Sequence, residues 1–295
     1  MSVLHAVFAP GFFSNGPVQA ALVMGAVVAL VCAPVGVLAV LRGQAFAGHA
    51  FADITSTGGS AAVLLGISPV LGFAASAAAG AASMEGLGAR QRGDRDLVTG
   101  TVLGGALGLS ALLLYLSTTR QGTSGATVSV LFGSIFAVSA ANWPWVLSLG
   151  LPALAVVAAA YRPLLLGSVS PELAAARGVR ARLVSAMYLG ALAASVALSA
   201  LTIGAVLSTA LLVGPAAAAL GLSSRPGRAM AWAGAIAVVS VWAGIVLAYD
   251  SYSWPPVGRG WPVSFFVVAL VTAFYAVSRA GVRRRPRRQP AGRGS

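Results

Sequence analysis

Apolar residues run along this chain in long blocks, each bounded by glycine, proline or arginine and each near the length of about 20 residues that crosses roughly 30 Å of hydrocarbon. The blocks fall near 18–40, 46–66, 70–89, 97–117, 143–161, 183–200, 202–221, 230–249 and 262–278. Nothing in them alternates with the period of a strand. They predict an all-α, polytopic membrane helix bundle of about nine spans, with eight to ten as the range. A shorter run, Val128 to Ala137, is below spanning length and reads as re-entrant or interfacial. The chain therefore divides into an external N-terminal segment (1–17), a transmembrane domain (18–278) and an arginine-rich cytoplasmic tail (279–295).

Composition supports the same class: 58% of residues are hydrophobic and only 8% charged, which leaves no stretch for a soluble domain. The net charge of +13 does not point to nucleic acid, because the arginines sit in short loops between apolar blocks and in the tail. With the N-terminus outside, seventeen of the 19 basic residues, all arginine, fall inside, and only Arg120 and Arg259 fall outside. Trp143, Trp145, Tyr249, Tyr252, Trp254 and Trp261 then gather at the outer boundary as an aromatic belt. The chain reads as a multi-pass protein of a bacterial-type cell membrane. The N-terminus lacks a basic region ahead of its apolar residues, so no cleaved signal is expected; His5 reads as a terminal residue. The single cysteine, Cys32, lies inside the first block as a small apolar packer.

Against this apolar background one stretch carries chemistry: Phe46 to Gly66, with one of two histidines and one of six carboxylates. His49 and Asp53 are four apart, which puts them on one helix face, one turn from each other. Ionisable groups at membrane depth are costly and usually face a bundle interior or a water-filled path. The pair is the candidate for a cation path, and Thr55, Ser56 and Thr57 extend its polar tract. A second reading stays open, in which the two side chains only neutralise each other and the hydroxyls serve helix contacts. Imidazole and carboxylate suit zinc, manganese or iron(II). One histidine and one aspartate are too few for a closed site, whereas two copies meeting on an axis would supply four ligands.

Three further features belong to the bundle. Gly100, Gly104 and Gly108 form a ridge that lets another helix approach. Gly214 and Pro215 interrupt the block after Thr202, either beside a pathway or as a plain kink. The loop Gly167 to Arg182 has its own helix signals: Ser170 as N-cap, Pro171 at the first helical position, Glu172 against the positive helix end and Gly178 as terminator. They predict a two-turn helix on the cytoplasmic face, read as a tidy loop or as a docking element.

Taken in order, LRGQAFAGHAFADITSTGG at 41–59, LFGSIFAVS at 131–139, SPELAAARGVRARL at 170–183 and IGAVLSTALLVGPAAAAL at 203–220 give a chain that resembles the membrane permease subunit of the zinc and manganese ABC importers; DSYSWPPVGRGWPVSF at 250–265 fits more loosely. The resemblance implies a type-II-importer-like permease working as a homodimer with a cytoplasmic ABC ATPase and an extracytoplasmic metal-binding receptor. It also implies a divalent metal as transported substrate rather than a bound cofactor. Gly48 and Gly58 match the glycines that flank the family's second-helix motif, but His49 stands where the family has its carboxylate and Asp53 where it has its histidine. Thr57 replaces the motif's proline, which should leave the helix straighter. By the same resemblance, Ser170 to Gly178 corresponds to the coupling helix, with Glu172 and Leu173 as the contacts.

The phosphate-binding loop pattern needs a lysine, and the chain has none; no serine nucleophile elbow and no HExxH motif occurs either. The expectation is a permease subunit that is not itself an enzyme. An ion-coupled secondary transporter using the His49/Asp53 pair and a non-transporting membrane scaffold are the alternatives.

Overall fold

The computed structural model describes residues 12, 15–86, 92–121, 130–133, 135–137, 143–254 and 260–283. Most of the expected external N-terminal segment with His5, the loop arginines Arg90 and Arg259, the start of the short run at Val128, and the tail from 284 onward lie outside these residues. Among the described residues the regular structure is wholly helical. In chain order the helices are α1 (Gly16–Leu41), α2 (Ala45–Leu65), α3 (Pro69–Gly86), α4 (Arg92–Gln121), α5 (Trp143–Ala159), α6 (Tyr161–Val169), α7 (Pro171–Ala176), α8 (Ala181–Ile203), α9 (Ala205–Leu222), α10 (Pro226–Asp250) and α11 (Val263–Arg283). Short 3-10 turns lie at Ile135–Ala137 and Ser251–Ser253.

A helix that is apolar all round belongs in the centre of a bundle, and α1 takes that place. Helices α5, α8, α9 and α10 pack around it, and Val28, Ala29, Cys32, Val35, Val37, Leu38 and Ala39 are all fully buried. Cys32 directs its thiol at the Ser195 carbonyl of α8, as expected of an internal packer. Tyr188, also on α8, donates its hydroxyl hydrogen to the Val35 carbonyl at 3.1 Å. Its ring in turn lies 5.1 Å beneath the Arg42 guanidinium. Arg42 reaches the Gln44 side chain at 3.2 Å and the Leu164 carbonyl at 3.4 Å. One arginine thus joins the end of α1, the start of α2, α6 and α8.

Each of the nine predicted blocks holds a helix among the described residues, but nine crossings are not reproduced by length and hydropathy. Five described helices are long and apolar enough to cross a membrane, or six if α5 and α6, which meet at 62°, form one broken span. The two that fall short at the front are α2 and α3. Helix α2 spends six positions on His49, Asp53, Thr55, Ser56, Thr57 and Ser60, and α3 is built largely of alanine, glycine and serine. The two helices pack against each other at close range. Their crossing shows how: a Cβ added at Gly58 of α2 would collide with the Gly72 carbonyl of α3.

Two expectations about glycine and proline change. Gly214 and Pro215 do not break the chain, because α9 continues through them. The break falls at Gly204, the one residue between α8 and α9, with φ +90°. The turn is buried, with Thr202, Ile203 and Ala205 covered, and Gly204 lies against the backbone of 131–133. Residues 131–133 therefore cover an irregular turn, which protein rather than lipid must shield. The ridge Gly100, Gly104, Gly108 has no atom within 4 Å of any of its Cβ positions. No described helix of the same chain uses it, and only 17% of the α4 spanning window is buried.

Candidate functional site

Helix α2 leaves α1 through a tight turn at Arg42–Gly43–Gln44, in which Gln44 N–H donates to the Ala39 carbonyl at 2.8 Å. Gly48 leaves room for Leu212 of α9, whose side chain would stand 3.0 Å from an added Cβ. On the opposite flank, Thr57 donates to the Ala106 carbonyl of α4 at 2.8 Å, and the Ser56 and Ser110 hydroxyls are 2.9 Å apart. These contacts fix the rotation of α2, and with it the direction of the acid–imidazole pair.

His49 Nε2 and Asp53 Oδ2 are 3.9 Å apart, with side-chain exposures of 48% and 10%. That separation is too long for a hydrogen bond. Asp53 Oδ2 is buried and has no hydrogen-bond partner. The other imidazole nitrogen, Nδ1, is 3.3 Å from the Thr209 hydroxyl of α9. If Nδ1–H donates to Thr209, Nε2 presents its lone pair toward the carboxylate. An ion at about 2.1 Å from both atoms would see them at an angle of roughly 136°, wider than tetrahedral and within reach of small side-chain rotations. Within one chain the set stops at two: among the described residues no group of three or more His, Cys, Asp or Glu side chains could hold a metal.

The remaining predicted residues are distributed differently. Thr55 is fully buried and donates to the Ala52 carbonyl at 2.8 Å, one turn back on its own helix. Ser56 and Thr57 make the α4 contacts given above, and Thr57 also reaches the Asp53 carbonyl at 3.0 Å. Pro215 is buried on α9, farther along the helix than Thr209. Thr209 itself escaped sequence reasoning. Its only signal was a hydroxyl within the block that begins at Thr202, with nothing to say which turn faces α2.

Helix α7 forms as its capping residues predict. The Ser170 hydroxyl accepts from Leu173 N–H at 3.3 Å, and Gly178 takes φ +74° while Val179 N–H closes on the Ala174 carbonyl at 3.0 Å. Pro171 stands at the first helical position. Ala174 is buried against the bundle, whereas Glu172 and Leu173 are exposed and Val169 just before the helix is 85% exposed.

A bundle of five or six apolar spans with a short capped helix between α6 and α8 is the fold of a membrane protein. The family model for the ABC 3 transport family matches residues 15–277, and the chain belongs to that family. It is similar to the manganese transport system membrane protein MntC of Halalkalibacterium halodurans, 28% identical over 166 residues, or 56% of each chain. It is also similar to the manganese import system permease protein ScaB of Streptococcus parasanguinis, 26% identical over 56% of this chain and 58% of that protein. These alignments span little more than half of the curated relatives' length. Among solved structures, PsaBC from Streptococcus pneumoniae in complex with Fab has the same fold, with a TM-score of 0.73 at 21% identity over 92% of this chain and 94% of that one. A metal-chelate type ABC transporter in an inward-facing conformation matches with a TM-score of 0.70 at 15% identity over 89% and 85%.

Proposed function

We propose that the chain is the permease subunit of an ATP-driven importer of a divalent metal cation, acting as a homodimer with a separate cytoplasmic ATPase and an extracytoplasmic metal-binding receptor. The observation that carries the reading is the buried Asp53 oxygen without a partner, 3.9 Å from the half-exposed His49 imidazole. A carboxylate and an imidazole held apart in an apolar bundle are poised for a cation between them. Two copies facing one axis supply four such ligands, and the uncovered α4 ridge leaves surface for a second copy. Incomplete coordination in each subunit lets the ion leave again. Manganese is the favoured cargo, since the relatives are named for it; zinc and iron(II) suit the same donors.

Energy enters through α7. Its exposed Leu173 and Glu172, with Val169 beside them, form the surface on which the ATPase sits, because the chain contains no lysine from which a phosphate-binding loop could be built. The test is uptake of radiolabelled manganese into vesicles carrying this chain, its ATPase and its receptor, with zinc and iron(II) as competitors. ATP-dependent uptake that His49→Ala and Asp53→Ala abolish is the expected result. Wild-type uptake by both variants, at equal membrane abundance, removes the pair from the path. Flux driven by a proton gradient without ATP assigns the pair to a secondary carrier instead.

A further inference from the structure

On the arginine-rich side of the bundle, α10 begins at Pro226 directly after Arg225. A groove of about 360 Å³ opens there, lined by Arg228, Ala231 and Trp232. Arg228 and Trp232 are one turn apart on the same helix face, and Trp232 is 52% exposed. That face continues as Ala235, Val239 and Trp242, all exposed, while Ala229, Ala233, Ala237 and Val241 turn into the core. Beside the groove the Tyr161 hydroxyl of α6 stands over Gly227, 3.5 Å from where a Cβ would be. The exposed Arg162 follows Tyr161 in the chain. The two ion pairs among the described residues use Arg182 and His49. The side chains of Arg162, Arg225 and Arg228 have no hydrogen-bond or ionic partner among them.

We infer that this groove binds an anionic phospholipid of the cytoplasmic leaflet, with Arg228 on the phosphodiester, Trp232 at headgroup level and an acyl chain along Ala235 and Val239. Three features select this occupant. A guanidinium fork matches two phosphate oxygens and keeps its charge under all conditions. An exposed tryptophan one turn deeper is the residue type that sits at the membrane–water boundary. The apolar strip leads away from the charge along a spanning helix, so it fits an acyl tail and offers nothing to a free phosphate. Basic pockets at the inner ends of spanning helices hold lipid headgroups in this way, and one arginine near an anionic surface contributes about 1 kcal/mol, or roughly a fivefold preference.

The test uses the whole permease in nanodiscs of phosphatidylcholine with a minor fraction of phosphatidylglycerol, and native mass spectrometry to count co-retained lipid. The wild type is expected to retain phosphatidylglycerol about fivefold better than Arg228→Gln, with Arg228→Lys between them. Trp232→Ala is expected to lower retention of both lipids. Arg279→Gln on α11 serves as the control, with retention unchanged. Equal retention by Arg228→Gln and wild type overturns the inference. So does displacement of the lipid by inorganic phosphate at the concentration that saturates Arg228, which makes the site a soluble-anion site. Loss of ATPase co-purification in Arg228→Gln with lipid retention intact also overturns it, and assigns the arginine to a protein partner.

Discussion

Removing the Asp53 carboxyl separates a transport site from a structural ion pair, because the two roles predict stability changes of opposite sign. In a structural pair, deleting one member leaves the other unpaired, at a cost of about 3–5 kcal/mol when both are buried. Here the partner is not buried: the His49 side chain is 48% exposed, and the nearest approach is 3.9 Å. With a neutral imidazole no ion pair forms, and the attraction left at that distance is about 1 kcal/mol or less. Against it stands a buried carboxyl oxygen with no hydrogen-bond partner, a defect that costs about 1–3 kcal/mol. The balance favours removal. Asp53→Ala is therefore expected to leave the empty permease as stable as the wild type or more stable, by about 0–2 kcal/mol, while uptake falls to background. The assay is thermal unfolding in detergent with and without manganese, alongside vesicle uptake. Manganese at 100 times its dissociation constant should stabilise the wild type by about 2.7 kcal/mol and the variant not at all. A variant destabilised by several kcal/mol in the absence of metal would refute this reasoning and make the pair structural.

The exchanged order of the two ligands leads to a second expectation: the double variant His49→Asp, Asp53→His, which restores the family's order on the same helix face, retains ATP-dependent uptake while either single exchange loses it. Gly204→Ala is expected to abolish folded protein, since a side chain at φ +90° is strained and its Cβ would strike the backbone of 131–133; yield after size-exclusion chromatography reads this out. By contrast, Gly104→Ala meets no atom within 4 Å and should raise monomer thermostability by up to about 1 kcal/mol through helix propensity. Leu173→Asp on α7 is expected to leave folding unchanged, because the side chain is 46% exposed, yet to uncouple uptake from ATP, measured as loss of ATPase co-purification. Glu85→Gln breaks an ion pair whose arginine is 83% exposed, so stability should move by less than about 1 kcal/mol.

Local signals in this chain were readable wherever one helix or one turn sufficed to decide them. The nine apolar blocks became helices because burial in lipid or protein leaves the backbone no other partner. Ser170, Pro171 and Gly178 set the ends of α7 by bonds to their immediate neighbours, and the i, i+4 spacing put His49 and Asp53 on one face of α2 without reference to any other element. Properties that depend on a second helix could not be read this way. Thr209 faces His49 only because Gly48 lets α9 approach α2, and the serines beside Asp53 turned out to grip α4. Whether the glycines of α4 are covered, and whether Gly204 or Pro215 breaks the chain, depends on which neighbour arrives. Sequence periodicity determined which residues share a helix face; packing between helices decided what each face meets, since close approach is set by the side chains of both partners at once.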